Sequence, residues 1–220
     1  MIKIMKQIGI WAGVIAIIIG TIWGLIALVN SNNPASNSQA ITPPPLSKED
    51  IVLGIPESAK ATLIEYADFQ CPACRNYAPL VRQLGKDFGN KLLLVYRFFP
   101  LTDIHQNAMS SSLAAYAASK QNKFWEMNDL LYENQSTWAD SGKAQEIFTD
   151  YAKKLDLSIS QFTSDFNSET GRNFINAEQN AGLSIGINST PTFFVNGQKI
   201  ENPQNYAAFS KLIQDAINKK

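Results

Sequence analysis

The chain opens on a long apolar run that is flanked by charge on one side only. Residues 8–29 form 22 consecutive positions without a charged side chain. A helix rises about 1.5 Å per residue, so a run of this length can cross a hydrocarbon layer of about 30 Å. The pattern therefore predicts a short cytoplasmic tail at 1–7 and a transmembrane anchor at 8–29.

The flanking charges predict how this anchor is oriented. Lys3 and Lys6 precede the run, and the next charged residue is Lys48. Because positive residues stay on the cytoplasmic side, everything after Asn30 is expected outside the cytoplasm, in the periplasm or at the outer face of the cell membrane. A cleaved signal peptide is the alternative, although its apolar part usually spans only about 7–15 residues. Under either interpretation, the rest of the chain is expected to be exported from the cytoplasm.

The stretch 30–46 is polar and uncharged, and it contains a run of three prolines at 43–45. Such a composition cannot bury enough apolar area to fold, so an extended, flexible linker is expected. The folded domain should then occupy 47–220.

Within this domain the spacing of apolar residues changes in an order typical of a mixed α/β fold. The expected elements are a strand at 61–67, a helix over 71–85, a strand at 91–98, a helical insertion over about 106–185, a hairpin at 192–200 around Asn196-Gly197, and a closing helix near 206–216. A strand–helix–strand unit implies parallel pairing, and the hairpin adds antiparallel strands. The fold class is therefore α/β, a mixed sheet with helices on both faces and an all-helical insertion.

The net charge and the number of cysteines limit the functions that the chain can have. The chain has 19 basic and 19 acidic residues, so it lacks the concentrated positive charge that nucleic-acid binding requires. Its two cysteines, Cys71 and Cys74, form a Cys-x-x-Cys pair. A bond between them would close too small a loop to restrict the unfolded chain, so a reactive or metal-binding pair is favoured over a structural disulfide.

The surroundings of the pair favour redox chemistry. Cys71 follows a predicted strand at the first turn of a helix, and Pro72 suits that position because its missing N–H would have no partner there. Unpaired backbone N–H groups and the helix dipole would stabilise a Cys71 thiolate, the attacking species. Cys74 lies one turn deeper. Cys71 is thus expected to exchange with substrate and Cys74 to resolve the mixed disulfide.

Two other interpretations of the pair are weaker. A zinc site needs two further ligands, but the chain has no third cysteine and a single histidine, His105, which is better explained as a structural or surface residue. The cysteines could also be incidental buried residues. Neither a metal nor a cofactor is expected beyond the redox-active pair itself.

Several ordered motifs resemble those of DsbA-like thioredoxin-fold proteins, especially the membrane-anchored bacterial kind. They are EYADFQCPAC at 65–74, YRFFPL at 96–101, KFWEM at 123–127 and STPTFFVNG at 189–197. The resemblance spans about 51–220. It implies a thioredoxin-like fold in which Thr190 and Pro191 form a cis-peptide loop against the cysteines and bind substrate, together with Pro72 and Ala73.

The resemblance also implies a role for Glu65, which matches a buried acid beneath the active site that accepts a proton during exchange. An edge-strand glutamate in water is the competing interpretation.

Ala73 is a departure from the family pattern, because the best-known oxidases of the family have histidine at this position. Because a histidine would favour the thiolate and so the reduced form, a milder oxidant is expected.

The function expected from these features is disulfide formation in exported polypeptides that carry cysteines, with reoxidation by a membrane redox partner. An extracytoplasmic reductase or isomerase of the same fold is an alternative. A non-catalytic thioredoxin-like binding module, with an incidental cysteine pair, is another.

Overall fold

The computed structural model describes residues 17–25 and 41–219. Residues 17–25 are helical (α1) and belong to a separate unit from the compact body that begins at residue 40. The predicted tail at 1–7, and most of the predicted anchor and linker, lie outside the described residues. Within the two described ranges, no helix is both long enough and apolar enough to cross a membrane.

The compact body is built on one five-stranded mixed sheet in the order β1-β3-β2-β4-β5. The strands are β1 Ile51–Leu53, β2 Ala61–Ala67, β3 Leu92–Phe98, β4 Thr192–Val195 and β5 Gln198–Lys199. β2 pairs with β3 in parallel, and all other pairs are antiparallel. This confirms the predicted mixed sheet. Asn196 and Gly197 both have positive φ, as a two-residue turn between β4 and β5 requires.

Helices cover both faces of the sheet. They are α2 Pro72–Phe88, α3 Ala108–Ser119, α4 Phe124–Glu133, α5 Gln135–Trp138, α6 Ala144–Lys154, α7 Ile159–Phe166, α8 Glu169–Ser184 and α9 Tyr206–Asn218. The predicted stop of α2 at Gly85 is wrong, since the helix continues to Phe88 and Gly89 follows it at φ 50°. Gly85 serves packing instead, because a Cβ there would lie 2.9 Å from Leu94 Cδ1.

The insertion comprises α3 to α8 and carries most of the largest apolar cluster. Its central helix, α3, is rich in alanine and serine and is buried on every side between Ser111 and Ala118. A helix that is apolar all round shows no periodic stripe, so the sequence pattern does not reveal α3. The predicted helical insertion over about 106–185 corresponds to α3 to α8.

The compact body starts earlier than the predicted boundary at 47. Ile41 packs against an apolar cluster on one face of the sheet, and the Pro45 carbonyl accepts a hydrogen bond from Arg97 Nη2 at 3.2 Å. Arg97 also forms a buried ion pair with Asp50 at 3.2 Å. These contacts join Ile41 and Pro45, both within the predicted linker, to the compact body.

Candidate active site

Cys71 lies at the junction between the central strand and a long helix. β2 ends at Ala67, and a three-residue loop connects it to Cys71. Cys71 is the N-cap of α2, with φ −69° and ψ 123°. Pro72 occupies the first helical turn, where its missing N–H leaves no hydrogen bond unmade. The extended conformation of Cys71 places its sulfur over the first N–H groups of α2. Pro72 and Ala73 are both exposed.

The environment of Cys71 stabilises its thiolate. The pKa of its thiol falls from 9.0 to about 5, first because the Cys74 thiol donates a hydrogen bond to the Cys71 sulfur. Burial opposes this fall, and donation from Thr190 and from the backbone N–H groups of Ala73 and Cys74 adds to it. The Cys71 thiol itself lies 3.4 Å from the Thr190 carbonyl oxygen. The first turn of α2 thus acts as an anion site for the sulfur.

Cys74 has the opposite character. It is fully buried among apolar side chains of the insertion and the sheet. Burial, followed by its hydrogen bond to Cys71 and the charge of Glu65, raises the pKa of its thiol well above 9.0. Both cysteines are free thiols in this structure. The pKa of one thiol is therefore lowered and that of the other is raised, although the two cysteines are only three positions apart.

The loop before β4 closes over the cysteines, as the resemblance implied. The Thr190–Pro191 peptide bond is cis, and the Pro191 carbonyl accepts a hydrogen bond from Asn202 Nδ2 at 3.0 Å. Thr190 Oγ1 is buried and has no hydrogen-bond partner among the described residues. This hydroxyl is therefore available to donate to the Cys71 thiolate, which is how Thr190 helps to lower the pKa of that thiol.

Glu65 lies in the centre of the sheet, so the edge-strand interpretation is wrong. β2 has a neighbour on both sides, and Glu65 is 5% exposed with no hydrogen-bond partner for Oε1. Desolvation, with a smaller contribution from the charge of Cys71, raises its pKa from 4.5 to about 8. A carboxyl group with this pKa exchanges protons readily near neutral pH.

Asp68 is a site residue that sequence reasoning missed. Its side chain is fully buried and accepts hydrogen bonds from the backbone N–H groups of Gln70 at 2.8 Å and Leu101 at 3.0 Å. Its Oδ2 lies 2.6 Å from Nδ1 of His105. Asp68 therefore connects the loop before Cys71 to the loop after β3 by hydrogen bonds. His105 takes part in this connection, which is a structural role.

Gln135, in the insertion, is a second missed residue. Its Nε2 donates to the carbonyl oxygens of Phe69 at 2.7 Å and Cys71 at 3.0 Å. Its contacts are 64 and 66 positions distant in sequence, so no local motif could have revealed it.

Across residues 17–25 and 41–219, no three His, Cys, Asp or Glu side chains are grouped as metal ligands would be.

Comparison with protein families and curated sequences points to one kind of domain. A family model described as Thioredoxin matches residues 46–215. The Na(+)/H(+) antiporter NhaA 3 of Salinispora tropica is 37% identical over 162 residues, which cover 74% of this chain and 24% of that protein. The NhaA 1 antiporter of Mycolicibacterium gilvum is 30% identical over 92% of this chain and 32% of its own length. The chain thus spans about a quarter to a third of these relatives.

Solved structures give the same fold over nearly their whole length. BdbD from Bacillus subtilis superposes with a TM-score of 0.71 at 21% identity, over 82% of this chain and 99% of that one. Wolbachia pipientis alpha-DsbA1 gives 0.68 at 21% identity, over 79% and 92%. MdbA, a thiol-disulfide oxidoreductase from Corynebacterium diphtheriae, gives 0.63 at 18% identity, over 84% and 99%. The chain therefore has a thioredoxin-like domain whose fold is shared by these three structures.

Proposed function

This chain belongs to the thioredoxin family, and we propose that it is a thiol-disulfide oxidoreductase that introduces disulfide bonds through Cys71 and Cys74. The observation that carries this proposal is the opposite behaviour of the two thiols. The pKa of Cys71 is lowered to about 5, whereas that of Cys74 is raised well above 9.0. Such a difference separates a good leaving group from a proton-holding partner.

The exchange proceeds in two displacement steps. A substrate thiolate attacks Sγ of Cys71 in the Cys71–Cys74 disulfide, and the S–S bond between the cysteines breaks as Cys74 leaves and takes up a proton. A second substrate thiolate then attacks the substrate sulfur of the mixed disulfide and releases Cys71 as a stable thiolate. The substrate loses two electrons and gains one disulfide, and the cysteine pair gains those electrons.

The stabilised thiolate also favours the oxidising direction. Whatever stabilises the reduced pair makes its disulfide a stronger oxidant. A pKa of about 5 for Cys71 lies between about 7 for thioredoxin and about 3.5 for DsbA. We expect a reduction potential between those of the two proteins, about −270 and −120 mV.

We further propose that the substrates are exported polypeptides with free cysteines and that a membrane redox partner reoxidises the pair. The apolar run 8–29, with lysines on one side only, supports an anchored domain outside the cytoplasm. The exposed Pro72 and Ala73 and the half-buried Thr190, with Pro191 buried behind it, are the proposed substrate-binding residues around Cys71. No prosthetic group takes part in this scheme.

Mixing the oxidised full-length chain with a reduced peptide that carries two cysteines tests the activity. One peptide disulfide should form per protein molecule, measured by loss of free peptide thiol, and the Cys71→Ser variant should form none. Unchanged peptide thiols in the presence of the oxidised chain would refute the proposed activity.

An Ala73→His variant should be a stronger oxidant than the unmodified chain. Residue 73 is exposed in the first turn of α2, and its N–H already contributes to the Cys71 thiolate site. A histidine adds positive charge there and favours the reduced pair, so the potential should rise by roughly 30 mV or more. Equilibration against glutathione measures it, and an unchanged or lower potential would contradict this account of Cys71.

A further inference from the structure

A side chain from the helical insertion holds the loop that leads into the catalytic helix. Gln135 is the first residue of α5 and is 4% exposed. Its Nε2 donates to the carbonyl oxygens of both Phe69 and Cys71, at 2.7 and 3.0 Å. The whole donor capacity of this buried amide is therefore used on the backbone around the nucleophile.

These two bonds restrict the backbone at Cys71. The Phe69 carbonyl belongs to the peptide plane before Gln70, and the Cys71 carbonyl belongs to the plane after Cys71. Fixing the second plane fixes the ψ angle of Cys71, which is 123°. The Cys71 carbonyl also accepts the first helical hydrogen bond, from the Arg75 N–H at 3.1 Å. Gln135 thus ties the N-cap conformation of Cys71 to the insertion.

We propose that Gln135 is a positioning residue for the nucleophile, which keeps the Cys71 sulfur over the first N–H groups of α2. The inference rests on the proposed function, in which the Cys71 thiolate is the reactive species. Under this proposal the helical insertion contributes to the reactivity of Cys71, because the hydrogen-bond donor is in α5 and the sulfur that it positions is at the start of α2.

Other contacts keep the loop in place when these bonds are removed. Gln70 Nε2 donates to the Ala139 carbonyl at 2.8 Å, and Gln70 Oε1 accepts from the Asn107 N–H at 2.7 Å. Asp68 Oδ1 accepts from the Gln70 N–H. A variant that lacks only the Gln135 donors should therefore fold while its Cys71 conformation is less restricted.

The test is a Gln135→Met variant of the full-length chain, which keeps similar volume without a donor. Cys71 alkylation by iodoacetamide, an uncharged reagent, reports its thiolate fraction across pH. We expect the midpoint to rise by about one pH unit, which slows alkylation about tenfold near pH 4 but changes it less than about twofold near pH 8. A midpoint equal to that of the unmodified chain would overturn the proposal.

Gln106→Met is the matched control. Gln106 is exposed, and its Nε2 lies 3.5 Å from the Ala139 carbonyl, away from the Cys71 backbone. This variant should titrate like the unmodified chain. If the unmodified chain itself lacked reactivity near pH 4, the proposed function would fail; if only the Gln135→Met shift were missing, the role of Gln135 alone would fail.

A measurement on the unmodified chain covers the case in which Gln135→Met does not fold. The side-chain amide protons of Gln135 should exchange with solvent much more slowly than those of Gln106, and their NMR signals should move when the cysteines are oxidised. Exchange as fast as that of Gln106, or signals indifferent to oxidation, would overturn the proposal.

Discussion

A Cys74→Ala variant is expected to accumulate mixed disulfides through Cys71 when it is incubated with polypeptides that contain disulfide bonds. The Cys71 thiolate attacks a substrate disulfide, and the bond that forms persists because no second thiol is present to resolve it. The product should be visible as a reducible band of higher mass on non-reducing gels, at least about tenfold more abundant than with the unmodified chain.

The same variant should also react more slowly at low pH. The Cys74 thiol is the foremost cause of the lowered pKa of Cys71, so its removal should move that pKa upward from about 5. Cys71→Ser is the matched control: it leaves the fully buried Cys74, which no substrate can reach, and should trap nothing. Equal amounts of mixed disulfide in the two variants, or none in either, would favour the binding-module interpretation.

A Glu65→Gln variant is expected to slow the resolving step. Cys74 must lose its proton before it attacks a mixed disulfide, and burial keeps its pKa well above 9.0. Glu65 is a buried acid whose charge acts on Cys74, and its own pKa of about 8 suits a proton acceptor near neutral pH. Release of a preformed mixed disulfide should slow by about tenfold or more, and its rise with pH through about 8 should disappear.

The same substitution should change how stability depends on pH. Glu65 has a pKa of about 8 in the folded chain and an ordinary value of 4.5, so between these pH values the folded state holds a proton that the unfolded state has released. The free energy of unfolding therefore falls as pH rises from 4.5 to 8, by up to about 5 kcal/mol. Glu65→Gln should remove this contribution and leave the similar one from Glu178, measured by urea unfolding of the disulfide form, in which no thiol titrates.

Glu178→Gln separates the two effects of Glu65. Burial raises the pKa of Glu178 to about 8 as well, and the charged groups that act on it are Asp50 and Arg97 rather than the cysteines. Its Oε2 accepts from the Phe98 N–H at 2.7 Å, a bond that a glutamine oxygen can keep. This variant should likewise reduce the pH dependence of stability, while the part due to Glu65 remains, and it should leave mixed-disulfide release unchanged. If it slowed release as much as Glu65→Gln does, Glu65 would have no special role.

The parts of the site that the sequence could predict are those encoded by neighbouring residues. The strand at 61–67, the cysteine spacing and the turn at Asn196-Gly197 are local signals, and the structure matches them. Together with the motif around Thr190 and Pro191, they were sufficient to place the cysteine pair at a helix start. The mixed sheet followed from the order of these elements.

The remaining parts depend on contacts between distant segments. The buried side chains of Asp68 and Gln135 bind backbone groups that only the folded chain brings near them. α3 gave no periodic signal because it is buried all round, and β1 is a three-residue strand whose position depends on its pairing with β3. The attachment of Pro45 to the compact body likewise depends on Arg97, more than fifty positions further on.

Titration of Cys71 in the reduced full-length chain tests the central claim most directly. Thiolate absorbance in the ultraviolet, compared with that of the Cys71→Ser variant, isolates the ionisation of this one sulfur. Half-ionisation near pH 5 is the result expected from a thiolate held by Cys74, Thr190 and the first N–H groups of α2. Half-ionisation close to 9.0, the ordinary value for a cysteine, would contradict it.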